Sequence, residues 1–375
     1  MQFDDIRPYS DNELPEVLKR IRSNKWVLEG IRNAYFSKVP KIFNKFIENI
    51  IYQFLKFKTS GIKTTDQFRK KISLDILVKN LVRDTTDGIT YSGLENLDLK
   101  KSYIFISNHR DIVLDPAFMI STLYYYGFNF PQIAFGDNLM LNEIIGDIIR
   151  VNNGIIVKRN LPMREQIGAS LNLSAYMCSV IKKGSSIWIA QREGRAKDGL
   201  DKTNPAVLKM IYLSKRKELS FKEFIEEYPI VPVSISYEYD PLDRAKGWSI
   251  YRKKIHGSHI KRKYEDLIHM ASGLKGYKGH VHLSFSEPLT GKFKNEVKAA
   301  EELDHKIHRS YRLWKSNYIS YDLLNKSKKY DNKYTNQDVE KFLNRYKRLS
   351  DEVREIVFES YANPVISYEN YISRK

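Results

Sequence analysis

Tyr103-Ile104-Phe105-Ile106-Ser107-Asn108-His109-Arg110-Asp111-Ile112-Val113-Leu114-Asp115-Pro116 is the stretch that decides the fold. Its apolar start reads as a short strand over 103–107. A polar turn follows, and from Pro116 the pattern becomes helical, since proline is tolerated in the first turn of a helix. The unit is therefore strand, loop, helix, and its one histidine, two aspartates and arginine crowd the loop.

The same alternation extends outward. Strands are expected at 131–135, 154–158, 186–190, 230–237 and 279–286. Helical patterns fill 116–126, 139–149, 163–183, 204–219 and 259–272. Such alternation implies an α/β domain with a mostly parallel central sheet flanked by helices. Ligands of such sheets sit beyond the carboxyl ends of strands. The His109 loop follows a strand at that end, as do "VKRN" (157–160) and "QREGRAKDG" (191–199).

On either side the chain reads as helical. Residues 1–85 form an expected N-terminal helical region, 86–295 the α/β domain and 296–375 a C-terminal helical extension, ending in one amphipathic helix over 338–361. A helix over 36–58 places Phe36, Val39, Phe43, Phe46, Ile47, Ile50, Ile51 and Phe54 near one stripe, with Lys38, Lys41, Lys45, Lys56 and Lys58 elsewhere. Such a helix either lies on an anionic bilayer or packs on its own protein. No internal repeat or Gly/Ser-rich linker interrupts the chain.

Composition narrows the function classes. The 375 residues are 42% hydrophobic, enough to build a core. The net charge of +18 points to an anionic partner, among them nucleic acid, a membrane surface or a phosphorylated substrate. Cys178 is the only cysteine, so no disulfide closes within the chain. The start "MQFDDIRPYS" does not read as a secretory signal, and no apolar window has the length of a spanning helix. A cytoplasmic, soluble or peripheral protein is expected.

Three chemistries compete for the loop. A protein kinase also has His-Arg-Asp, but needs an asparagine where Pro116 stands, and no Asp-Phe-Gly follows. A metal site would use His109, Asp111 and Asp115, with His280, His282, His305 or His308 as further ligands; no Cys cluster or His-Glu-x-x-His accompanies them. The third is a His/Asp pair that removes a proton from a hydroxyl. No Gly-x-Ser-x-Gly supplies a protein nucleophile, so that hydroxyl belongs to the substrate. The plain alternative is a strand-exit turn with a helix-capping aspartate.

Four blocks in order resemble the glycerolipid acyltransferase family, which acylates glycerol-3-phosphate and 1-acylglycerol-3-phosphate. They are "NHRDIVLDP" (108–116), "GIIVKR" (154–159), "QREGRAKDG" (191–199) and "IVPVSI" (230–235), with "HVHLSFSEPL" (280–289) similar to its last strand. The resemblance covers about 90–295. The family has four residues between its histidine and aspartate; here His109 and Asp115 are separated by five and His109 and Asp111 by one. Asp115 keeps the following proline and is carried over as the partner of His109, with Asp111 as its rival. Arg195 stands one residue early after Glu193-Gly194, which marks a divergent branch.

The resemblance implies acyl transfer from coenzyme A or an acyl carrier protein to a hydroxyl of a phosphorylated glycerol or lysophospholipid. His109 would act as base and Asp115 would orient it. Arg159 and Arg195 would hold the phosphate, with Lys158 and Arg110 secondary; Glu193 would hold an acceptor hydroxyl or fix Arg195, and Gly194 would allow a tight turn. Pro232 reads as structural. Neither a metal nor a cofactor is implied, and no nucleic-acid motif is present. The expected place is the inner face of the cell membrane, on an anionic surface. Two alternatives stay open: another lysolipid acceptor, such as an acylated amino acid, and a membrane-surface binding protein without catalysis.

Overall fold

The computed structural model describes residues 3–140, 142–159, 161–257, 265–291 and 293–372. Among them are seven strands: β1 (Ile89–Ser92), β2 (Ile104–Ser107), β3 (Gln132–Gly136), β4 (Gly154–Val157), β5 (Ile187–Ala190), β6 (Ile230–Tyr237) and β7 (Val281–Phe285). Every expected strand is present within two residues of its expected ends, and the α/β class holds. Four of the five strand pairings described are parallel; β6 and β7 run antiparallel.

The chain divides into two compact units, and the cut differs from the expected one at 85 and 295. The first unit is residues 1–80 with 132–169; the second is 81–131 with 170–375. Residues 132–169 leave the expected α/β stretch to join the N-terminal helices. The helix Leu14–Ser23 buries Leu14, Val17 and Leu18 on Phe68 and on Val151, the last residue of the helix Glu143–Val151. Ion pairing reinforces this contact, with Arg20 bidentate on the buried Asp147 at 2.8 Å. β3 and β4 pair here in parallel.

In the same unit the expected helix 36–58 starts late. A turn and a short 3₁₀ segment, Lys41–Phe43, precede the helix Asn44–Thr59. Pro40 explains this, because its ring biases the preceding residue away from helical geometry and removes an N–H donor. Ile47 and Ile51 point inward; Phe46, Ile50, Phe54 and Phe57 remain exposed.

In the second unit the strands run β1-β7-β6-β2-β5. β2 lies between β6 and β5, parallel to both, with Ile104, Phe105 and Ile106 inaccessible to solvent. A strand covered on both faces reads as an unbroken apolar run, as 103–107 does. Pro232 sits inside β6, opposite Ile106 of β2, fully within the sheet. Beyond β7 come the helices Glu296–Ser310, Lys315–Asn325, Asn336–Tyr346 and Asp351–Ile372. The last two replace the single helix expected at 338–361. The break falls at Ser350, whose carbonyl and hydroxyl accept from Arg354 and Val353 and so start a new helix. Tyr239, Ile319, Phe342, Tyr346, Val357 and Tyr361 form the core beneath these helices.

Candidate active site

β2 ends at Ser107, and the chain then runs through a six-residue loop into the helix Leu114–Tyr126. Asn108 fixes the exit. Its buried amide donates to the Ile235 carbonyl at 3.0 Å and to Asp201 at 3.1 Å, and its carbonyl accepts from the Ile235 N–H at 2.7 Å. The loop is thus stitched to β6, and His109 has little freedom of backbone.

His109 Nδ1 lies 2.8 Å from Asp115 Oδ2. The same oxygen accepts the backbone N–H groups of Arg110 at 2.6 Å and Asp111 at 2.9 Å, while Oδ1 accepts the Tyr237 hydroxyl at 2.6 Å. Burial pushes the Asp115 carboxyl up, but the bond and charge of His109, with the Tyr237 and backbone donors, overcome it and hold the group below its ordinary value. Asp115 is therefore a carboxylate that only accepts. Nδ1 of His109 carries the proton, and Nε2 is left as a base. The imidazole is 13% exposed and rests edge-on against Trp188, whose indole N–H bonds Ser107 Oγ at 2.9 Å.

Asp111, the rival partner, is turned elsewhere. Its Oδ1 accepts the N–H groups of Val113 and Leu114, both at 2.9 Å, and closes the turn that opens the helix. Burial and the nearby Asp115 charge raise its pKa. The geometry unites both sequence readings: one aspartate shapes the helix start and the other holds the histidine.

Arg110 is held in a buried ion pair. It is 5% exposed, bonds Asp201 at 2.5 Å and stacks over Tyr311. Such an ion pair fixes the underside of the loop. Lys158 pairs with the exposed Asp5 in the first unit. Arg159, in that unit too, has its guanidinium against Gly136, and its backbone N–H donates to Asp137 at 3.1 Å.

The 191–199 stretch approaches from β5. Gln191 donates its N–H to the Ser107 carbonyl and Ala196 to the His109 carbonyl, both at 2.8 Å. Arg195 is thereby carried beside the histidine loop. Gly194 has φ of +71°, a left-handed conformation that suits glycine. Glu193 is exposed. The Arg195 guanidinium meets His269 and Asp266 of the helix Glu265–Lys275, whose expected start at 259 lies outside the described residues.

Of the other histidines weighed as ligands, His282 is buried against Thr90 and Ser92 of β1, and His308 bonds the Asp201 carbonyl. His280 bonds Glu238 at 2.7 Å, and these two with Asp87 bring one ligand atom each within 4.8 Å of one another.

Sequence reasoning missed Tyr237, Asn108, Asp201, Asp266 and His269. Tyr237 had a signal: it ends the apolar β6 run, at the strand end where the sheet opens to its loops. Tyr237→Phe strands Asp115 Oδ1 without a donor in a dry site. The expected loss is about 1.5–3 kcal/mol of stability, read by denaturant unfolding.

Residues 88–236 match the family model described as Acyltransferase. Among solved structures, the chain is similar to the crystal structure of the 1-acyl-sn-glycerophosphate (LPA) acyltransferase PlsC from Thermotoga maritima. The two are 16% identical, the match covers 74% of this chain and 94% of that one, and the TM-score is 0.41. Comparison with curated proteins finds none that matches. The stretch that matches the acyltransferase family model, residues 88–236, is the one that holds His109, Asp115 and Arg195.

Proposed function

We propose that the protein moves a fatty acyl group from an acyl thioester, of coenzyme A or an acyl carrier protein, to a hydroxyl of a phosphorylated glycerol or lysophospholipid. The observation that carries this reading is the His109–Asp115 pair, with Nδ1 protonated and held at 2.8 Å. Nε2 of His109 takes the proton of the acceptor hydroxyl as its oxygen attacks the thioester carbonyl. The carbon–sulfur bond breaks as the tetrahedral intermediate collapses, and the same proton passes from His109 to the departing thiolate. Asp115 keeps the ring oriented and stabilises the imidazolium between these steps. Arg195, brought alongside by the Ala196–His109 bond, supplies a cation for the acceptor's phosphate. Arg159, Glu193 and Gly194 remain assigned to acceptor binding on their motif positions alone.

The test is to incubate the chain with palmitoyl-CoA and a panel of glycerol 3-phosphate, lysophospholipids and acylated amino acids, and to weigh the products. Ester formation on a phosphorylated acceptor supports the reading. Acylation of the amino-acid lipids alone moves the substrate, and no product with any acceptor removes the chemistry.

A lysophospholipid acceptor lies in a membrane, and the first unit carries a surface suited to one. Across the helices Lys25–Tyr35 and Asn44–Thr59 and the turn between them, Tyr35, Ile42, Phe43, Phe46, Ile50, Phe54 and Phe57 are exposed, with Lys38, Lys41, Lys45, Lys56 and Lys58 among them. Glu48 is the only acid over 36–60, and Arg32 neutralises it. No described helix is long and apolar enough to cross a membrane. This face is assigned to lying on an anionic leaflet, rings inserted and lysines at the headgroups, as on the inner surface of a cell membrane. Phe46→Glu/Phe54→Glu is expected to reduce flotation with phosphatidylglycerol vesicles at least tenfold, with the same melting curve. Unchanged flotation of that variant would exclude the face.

A further inference from the structure

The helix Glu265–Lys275 lies outside the stretch that matches the acyltransferase family, yet it holds the arginine of that stretch. Arg195 Nη2 is 3.2 Å from His269 Nδ1 and 3.4 Å from Asp266 Oδ1. Asp266 and His269 are three residues apart and share one face of the helix. An arginine N–H can only donate, so His269 Nδ1 accepts and its proton sits on Nε2. Burial, then the Arg195 charge, holds the His269 pKa below its ordinary value, which favours that neutral ring.

The helix is also registered on the histidine loop. A Cβ added to Gly273 would stand 2.5 Å from Asp111 Oδ2, so the close approach needs glycine here. One face of this helix thus touches both the residue that starts the His109 loop's helix and the arginine beside it.

A guanidinium is a flat fork of five donors, and fixing one terminal nitrogen sets the plane in which the others meet a phosphate. A neutral imidazole does this without adding an opposing charge, whereas the Asp266 carboxylate at 3.4 Å offsets part of the guanidinium's charge. We propose that His269, assisted by Asp266, is a positioning residue that aims Arg195 at the acceptor's phosphate. The helix Glu265–Lys275 is then a determinant of selectivity for phosphorylated over unphosphorylated acceptors. This rests on the acyl-transfer reading above.

The experiment measures kcat and KM of the full chain with palmitoyl-CoA and either 1-oleoylglycerol 3-phosphate or 1-oleoylglycerol. His269→Ala is expected to raise KM for the phosphorylated acceptor at least fivefold, with kcat changing less than twofold. The preference for it over 1-oleoylglycerol falls accordingly. His269→Asn, whose amide oxygen stands near the former Nδ1, should restore most of the loss. In Arg195→Ala, adding His269→Ala should have no further effect on KM. Product formation with an unaltered KM in His269→Ala overturns this proposal alone. Equal losses on both acceptors, without rescue by asparagine, overturn it too, by showing a structural role. Absence of product from the wild type removes the underlying reading and the proposal with it.

Discussion

Replacing His109 with alanine is expected to lower acyl transfer by about 10²–10⁴-fold in kcat, the usual reach of a positioned acid–base group. On the proposed mechanism the loss should fall on kcat, because His109 is assigned to the reacting proton and Arg195 to the phosphate. Folding should be nearly untouched. The ring makes one hydrogen bond, to Asp115, and Asp115 Oδ2 keeps the N–H groups of Arg110 and Asp111 without it. Thermal unfolding of His109→Ala beside its steady-state rate checks both parts. Near wild-type transfer in the variant would remove His109 from the reaction.

The second large effect belongs to Asp115. Asparagine there presents an NH₂ or a neutral oxygen where four donors now meet two carboxylate oxygens. It also permits the wrong tautomer of His109, with the proton on Nε2 and the base gone. Asp115→Asn should therefore lose both activity, by about 10²-fold or more, and stability, by about 3 kcal/mol. The two losses part company with pH. A carboxyl held below its ordinary value of 3.8 adds stability above that range and loses it as pH falls through the lower folded value. The stability gap between wild type and variant should be full at neutral pH and narrow below about pH 4, as urea unfolding across pH would show. A gap that is constant with pH would mean that the carboxylate charge is not what the loop relies on.

The parts of this site that could be read from the chain are those written locally. β2 is buried on both faces and so announces itself as an apolar run; its loop announces itself by the polar break that follows. β1 could not be seen this way, because Thr90, Tyr91 and Ser92 are exposed residues with no periodic pattern. The expected helix over 36–58 begins too early because its apolar stripe continues through Pro40, and periodicity does not register a missing N–H. Which aspartate serves His109 was not decidable from spacing either. Asp111 is two residues before Val113 and makes the turn, a local role that spacing permits to either carboxylate.

What stayed hidden were the long-range partners. Arg110 beside the histidine looked like a binding residue, but Asp201, 91 positions away, buries it in an ion pair. Lys158 meets Asp5, 153 positions earlier. Tyr237, 122 positions from Asp115, completes the carboxylate's shell. A charge in a motif declares a chemistry; only the folded neighbours say whether it is offered to a ligand or spent on the frame.

The most direct measurement of the central claim is the release of coenzyme A thiol from palmitoyl-CoA by the wild-type chain, followed in time with and without a phosphorylated glycerol acceptor. If His109 activates the acceptor's own hydroxyl, thiol appears only with the acceptor and in step with the ester. A burst of about one thiol per chain without acceptor, or release that the acceptor does not alter, would contradict the account.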